Sequence, residues 1–146
     1  MHPYPHHYKI RIGATADGEV TLGGEGLPDL RSLPPPEFDG PGGYWSPESL
    51  LVASVADCFA LSFRSVARAS RLDWSELTAE VQGLLERKDG VSRFTRFETH
   101  AELVVPAGTD PARARSLLEK AEKICLISNS LSAERHLTCE VIEEEP

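Results

Sequence analysis

The stretch that decides the fold is Trp45-Ser46-Pro47-Glu48-Ser49-Leu50-Leu51-Val52-Ala53-Ser54-Val55-Ala56-Asp57-Cys58-Phe59, which runs on to Phe63. Ser46 can cap the free N–H groups of a helix, Pro47 suits its first position, and Glu48 suits the positive end of its dipole. From Leu50 to Phe63 the helix is apolar almost all round, broken only by Ser54, Asp57 and Ser62. A surface helix shows one apolar stripe; this one reads as a buried central helix. Its end turns basic at Arg64, Arg68 and Arg71, which suits the negative end of the dipole. A domain of this size can hardly surround such a helix, so a homodimer that packs the helices together is expected.

On the N-terminal side, Tyr8-Lys9-Ile10-Arg11-Ile12 alternates apolar and polar residues as a strand does. Asp17-Gly18 reads as a hairpin turn and Glu19-Val20-Thr21-Leu22 as the return strand. Residues 23–44 carry Pro34-Pro35-Pro36 and Gly40-Pro41-Gly42-Gly43, a composition that excludes helix and central strand. A loop of that length inside a compact domain is often functional.

On the C-terminal side, Leu77–Lys88 and Ser92–Val105 read as strands joined by Asp89-Gly90. Asp110-Pro111 starts a second helix. Its stripe of Ala114, Leu117, Leu118, Ala121, Ile124 and Cys125 makes it amphipathic. Leu137, Cys139 and Val141 alternate with Thr138 and Glu140, a half-buried strand. The order predicts an α+β protein, with antiparallel sheets packed around a buried central helix, in a single domain over residues 1–146.

Composition narrows the function. The 146 residues are 40% hydrophobic and 26% charged, as in an ordinary globular protein. A net charge of −8, with scattered basic residues and a Glu143-Glu144-Glu145 tail, argues against a nucleic-acid surface. No 18-residue apolar run is found, so no transmembrane helix is expected, and Met1–His7 lacks the apolar stretch of a signal peptide. No membrane partner and a cytoplasmic location are expected. Three cysteines in such a chain read as free, catalytic or metal-binding rather than as a disulfide framework.

Cys58 is the candidate attacking thiol, read against the alternative of a small buried hydrophobe. Asp57 beside it would raise its pKa if the two shared an environment, but successive helical residues point about 100° apart. Cys125, 67 residues further on, is a candidate second thiol that only the fold could bring near. A peroxide-reducing thiol needs such a partner to trap its sulfenic acid. Cys139 falls on the buried face of a strand and reads as filler. Glu48 is explained as a first-turn helix acid; ten residues, about 15 Å of helix, separate it from Cys58. His2, His6 and His7 form a terminal cluster with little reason to bind metal. There is no Cys-x-x-Cys, no phosphate-binding glycine loop and no His-Glu-x-x-His, and no cofactor is expected.

Two separated motifs carry a resemblance. The run from Pro35 to Leu51, followed by Ala56-Asp57-Cys58-Phe59, is similar to the OsmC/Ohr family of thiol peroxidases. Cys125-Leu126-Ile127-Ser128-Asn129-Ser130-Leu131 resembles the family's second cysteine motif, Cys-Pro-x-Ser. The order of elements agrees over roughly residues 8–144, and Trp-Ser-Pro-Glu looks closer to the OsmC-like branch. The resemblance implies an intertwined α+β homodimer with sites at the subunit interface and reduction of organic hydroperoxides, to some extent hydrogen peroxide. Cys58 would become a sulfenic acid, Cys125 would condense with it to a disulfide, and an external dithiol would reduce the pair. Glu48 matches the family glutamate that holds a catalytic Arg. The family Arg lies near a Gly-Arg-x-Gly pattern, where this chain has Gly13-Ala14-Thr15-Ala16-Asp17-Gly18. Arg31, in the long loop, is the expected substitute, ahead of Arg11 in a strand. Leu126 replaces the motif's proline. A rival reading keeps the interface pocket but uses it to bind a small apolar ligand without catalysis, and the Arg discriminates the two. A third, a metal-storing or redox-buffering protein built on the histidines, has little support.

Overall fold

The computed structural model describes all residues, Met1–Pro146, as two compact units, Met1–Leu51 and Val52–Pro146. The first is a three-stranded antiparallel meander of β1 (Arg11–Gly13), β2 (Val20–Gly23) and β3 (Leu30–Ser32), in that order. Gly18 supplies the left-handed φ of 89° in the β1–β2 turn. The strand expected at Tyr8 begins only at Arg11. The proline-glycine loop contains a strand that composition hid. β3 is a three-residue edge strand, and Arg31 lies within it opposite Thr21 rather than in a free loop.

The rest of the loop folds back on itself. Ser32 bridges Trp45, and the Leu33 N–H donates to the Trp45 carbonyl at 3.0 Å, closing its two ends. A single 3-10 turn over Pro36–Phe38 is capped by the Asp39 N–H on the Pro36 carbonyl at 3.0 Å, and the Gly40 N–H donates to the Pro35 carbonyl at 3.0 Å. A Cβ on Gly40 would sit 1.7 Å from the Pro34 carbonyl oxygen, so no other residue fits.

Helix α1 spans Pro47–Ala69 and starts where the sequence indicates. The Ser49 N–H donates to Ser46 Oγ at 3.1 Å, and the Ser46 N–H donates back to Ser49 Oγ at 2.8 Å. The reciprocal pair is a capping box with serine in the place of the usual Glu or Gln. The helix closes as its Leu72 N–H reaches the Ala67 carbonyl at 2.9 Å around a left-handed Arg71. Arg113 donates to the Ser70 carbonyl just beyond it. Within one chain the helix is not buried all round. Val55, Phe59, Phe63, Val66 and Ala67 form a buried stripe, while Leu61 is 51% exposed. The reading of membrane-spanning runs also needs correction, since α1 is long and apolar enough to cross a membrane by length and composition. The protein itself buries the stripe.

The second unit is built on β4 (Glu76–Lys88), β5 (Val91–Val105) and β6 (Glu134–Glu143), with β5 central. Asp89 and Gly90, with φ of 53° and 76°, make the β4–β5 turn, as a two-residue hairpin of this twist requires. Between β5 and β6 lies α2 (Pro111–Ile124), capped by the Asp110 carboxylate on the Ala112 N–H at 3.0 Å. A four-residue helix, α3 (Leu126–Asn129), follows. The expected antiparallel sheet is therefore mixed, because β6 pairs parallel to β5 from Arg96↔Glu134 to Val105↔Glu143. The crossover through α2 returns the chain to the start of β5. A period of two reports which face is buried but not strand direction.

One face of this sheet carries the core. Ala101, Leu103 and Val105 of β5 meet Phe59, Phe63 and Ala67 of α1 and Ala114, Leu118 and Ala121 of α2. Gly83 marks where α1 crosses β4; a Cβ there would lie 2.9 Å from both Val52 Cγ2 and the Phe94 ring. The other face is polar and carries Glu80, Glu98, His100, His136 and Glu140, all exposed.

Candidate functional site

Two predicted site residues meet in the second unit. Cys58, on α1, is half-buried beside the buried Val55–Phe59 stripe; Asp57 points to solvent and does not share its surroundings. Cys125 is 1% exposed and is not inside a helix as expected. It is the joint residue between α2 and α3, with an extended ψ of 106°. Its N–H still donates to the Glu122 carbonyl at 3.3 Å, and its own carbonyl accepts from the Asn129 N–H at 2.9 Å. The chain thus turns a corner at Cys125 and presents the first N–H groups of α3 to what lies in front of them.

What lies in front is the Cys58 sulfur. Burial pushes the Cys58 thiol up, but the Ile127 N–H, the Cys125 thiol, the Ser62 hydroxyl and the Leu126 N–H together outweigh it, so its pKa is lowered. Ser62 Oγ, one helical turn on, lies 3.9 Å from the sulfur. These donors are dipoles and none is a cation. Cys125 moves the other way. Burial raises it, the N–H and hydroxyl of Ser128 counter this in part, and Cys58 adds to the rise. The arrangement is a thiol of lowered pKa beside one of raised pKa, both free of any disulfide.

Cys139 is separate from this pair. It faces the core opposite Ala101, and burial followed by the Glu119 charge raises its pKa.

Glu48 and Arg31 belong to the first unit and are not paired. Arg31 Nε lies 3.4 Å from Glu19 Oε2, with 70% of its side chain exposed. Glu48 Oε2 is buried without a hydrogen-bond partner. The expected Arg31–Glu48 bond is thus not formed within one chain. A buried carboxylate oxygen with no donor is costly and calls for one.

The histidine cluster does not converge on a metal position. Both ring nitrogens of His6 are engaged, Nε2 with the His2 carbonyl at 3.0 Å and Nδ1 with the Tyr8 hydroxyl at 3.3 Å. Donor atoms that do converge are on His100, Glu102 and Glu140, within 4.8 Å of one another. They lie on the sheet's polar face, opposite the core side.

Sequence reasoning missed Arg135. Its Nε donates to Glu122 Oε1 at 2.5 Å, one NH group to Asn129 Oδ1 at 2.7 Å, and the other to the Glu122 carbonyl. The signal was present: Arg135 has the same parity as Leu137, Cys139 and Val141, so a charged side chain falls on the buried face of β6.

The OsmC-like protein family's sequence profile matches residues 40–140, and the chain belongs to that family. It is 28% identical over 109 residues to the uncharacterized protein YmaD of Bacillus subtilis, covering 73% of each chain. Among solved structures, an OsmC-like protein of unknown function from Vibrio cholerae superposes with a TM-score of 0.83 at 17% identity, covering 92% of this chain and 99% of that one. An organic hydroperoxide resistance protein OsmC from Legionella pneumophila superposes with a TM-score of 0.75 at 23% identity, covering 96% and 99%. At these identities the structures establish the shared mixed α+β fold with two sheets and few helices.

Proposed function

We propose that this protein is a cytoplasmic, homodimeric thiol peroxidase that reduces organic hydroperoxides. The observation that carries the reading is the juxtaposition of two free thiols, Cys58 with its pKa lowered and Cys125 with its pKa raised, each shifting the other. The Cys58 thiolate attacks the terminal peroxide oxygen and the O–O bond breaks. The sulfur keeps that oxygen as a sulfenic acid, and the alkoxide takes up a proton and leaves as the alcohol. The Cys125 thiol then attacks the sulfenic sulfur, a disulfide forms and water departs. An external dithiol returns both cysteines to thiols.

Support also comes from relatives named for organic hydroperoxide resistance, in Legionella pneumophila and Elizabethkingia anophelis. The homodimer is supported by apolar surface that one chain leaves open, including Leu61, Ile124 and Leu126 at 51%, 48% and 65% exposure. In this reading Glu48 and Arg31 serve as the supporting carboxylate and cation. Arg31 gives up an exposed pair with Glu19 that is worth at most about 1 kcal/mol.

One observation favours a second reading, a non-catalytic relative that binds a small apolar ligand at the dimer interface: Arg31 is held by Glu19 and the buried Oε2 of Glu48 lacks a donor. The test is consumption of cumene hydroperoxide with a dithiol as reductant. Steady turnover supports the peroxidase, and no consumption above the dithiol blank supports the binding protein.

A further inference from the structure

Cys125 has a non-helical backbone, with φ of −59° and ψ of 106°, between two helices. A following proline would exclude the helical conformation at Cys125 by steric clash with the preceding residue. Here residue 126 is Leu, which imposes nothing. A continuous helix through Cys125 would recover hydrogen bonds for the last turn of α2 and bury no strain. Something else must hold the corner open.

The geometry points to Arg135 as the residue that does so, a positioning residue that clamps the Cys125–Leu126 corner and so keeps Cys125 and the Leu126 and Ile127 N–H groups facing Cys58. The inference rests on the thiol-peroxidase reading only for its consequence; the clamp itself is geometric. Arg135 enters from β6, half-buried with 26% of its side chain exposed, and its fork spans the corner. Nε and one NH group hold Glu122, by side chain and carbonyl, on the last turn of α2. The other NH group holds Asn129, the last residue of α3, at 2.7 Å. Asn129 in turn donates from Nδ2 to the Lys123 carbonyl at 3.2 Å. The segment from Glu122 to Asn129 is therefore a closed ring with Cys125 inside it. The Glu122 carbonyl accepts both from Arg135 and from the Cys125 N–H, so the bond that ends α2 is itself tied to β6. Only a planar fork of directed donors can make these three bonds at once; an ammonium is a point charge that cannot.

The experiment measures the alkylation rate of Cys58 against pH in the full-length protein, read by mass spectrometry, with Cys139 as an internal control. It needs no peroxide, so its outcome is independent of whether the protein turns over hydroperoxides. Arg135→Met keeps the stem and removes the fork. It should raise the Cys58 pKa and slow labelling at pH 7 by about tenfold, the equivalent of one pKa unit, with Cys139 unchanged. Arg135→Lys should behave like Arg135→Met. An unchanged Cys58 in Arg135→Met overturns the proposal. Full restoration by Arg135→Lys also overturns it, because charge alone would then suffice. Should Arg135→Met fail to fold, Asn129→Ala removes a single arm of the clamp. It should shift Cys58 in the same direction by a smaller amount, and no shift in that variant overturns the proposal.

Discussion

The thiols of Cys58 and Cys125, 67 residues apart in sequence, sit close enough, on α1 and at the α2–α3 corner, for each to shift the ionisation of the other. Burial raises both thiols. Against that background each thiol acts on its neighbour, so that the thiolate is favoured on Cys58 and disfavoured on Cys125. The two shifts are opposed: the pKa of the more exposed sulfur on α1 is lowered, and that of the buried one at the corner is raised.

The first expectation concerns pH. A lowered pKa means that the thiolate persists to lower pH, and alkylation follows the thiolate. Labelling of Cys58 should rise through a midpoint below the ordinary thiol value, and that of Cys125 through one above it. Ser62→Ala removes a donor at 3.9 Å and should move the Cys58 midpoint up by under about one unit. Mass spectrometry of the digested protein after timed iodoacetamide exposure reads each cysteine separately.

A second expectation is the disulfide. After one equivalent of an organic hydroperoxide, digestion without reductant should yield a Cys58–Cys125 cross-link, with Cys139 free. Cys139→Ser should leave the yield unchanged, since Cys139 packs in the core opposite Ala101. A Cys58–Cys139 link, or a lasting sulfenic acid, would contradict the assignment of Cys125.

Much of this was legible in the sequence. The Ser46-Pro47 start of α1, the Asp89-Gly90 hairpin and the Asp110-Pro111 start of α2 are local chemistry, and each element begins where that chemistry acts. Cys58 and Cys125 were identified from their motifs. What failed was non-local. The direction of β6 depends on the path of α2, which a period of two does not record. β3 is held by its pairing with β2 and defies its Gly- and Pro-rich neighbours. Two of the four donors on Cys58 are backbone N–H groups, of Leu126 and Ile127, which have no letter in a sequence. Arg135 was visible only as a charge on the wrong parity.

The third expectation is oligomeric. Leu61, half exposed on α1, belongs in the proposed helix-packed interface. Light scattering should give about twice the 16.0 kDa chain mass at micromolar concentration. Leu61→Asp should shift the protein toward the single-chain mass, because a carboxylate buried without a partner costs several kcal/mol. A wild-type protein at the single-chain mass would rule the dimer out.

Arg31 gives the fourth. If it leaves Glu19 to serve Glu48 in the working dimer, Arg31→Ala should slow the reaction of Cys58 with peroxide by about tenfold or more, the scale of one lost charge-assisted hydrogen bond. Glu19→Gln, which frees Arg31, should leave the rate unchanged or raise it. Arg11→Ala should matter less. Single-turnover kinetics with limiting hydroperoxide separate these outcomes. An unchanged rate in Arg31→Ala would remove Arg31 from the mechanism and favour the ligand-binding reading.

The most direct measurement is steady-state reduction of cumene hydroperoxide, with a dithiol as reductant, by the wild type and by Cys58→Ser. That substitution replaces the sulfur with a hydroxyl that is not ionised near neutral pH, and it leaves Cys125 and Cys139 in place. The account predicts turnover in the wild type and none above the dithiol blank in Cys58→Ser. Near-wild-type turnover in Cys58→Ser, or none in the wild type, would contradict it.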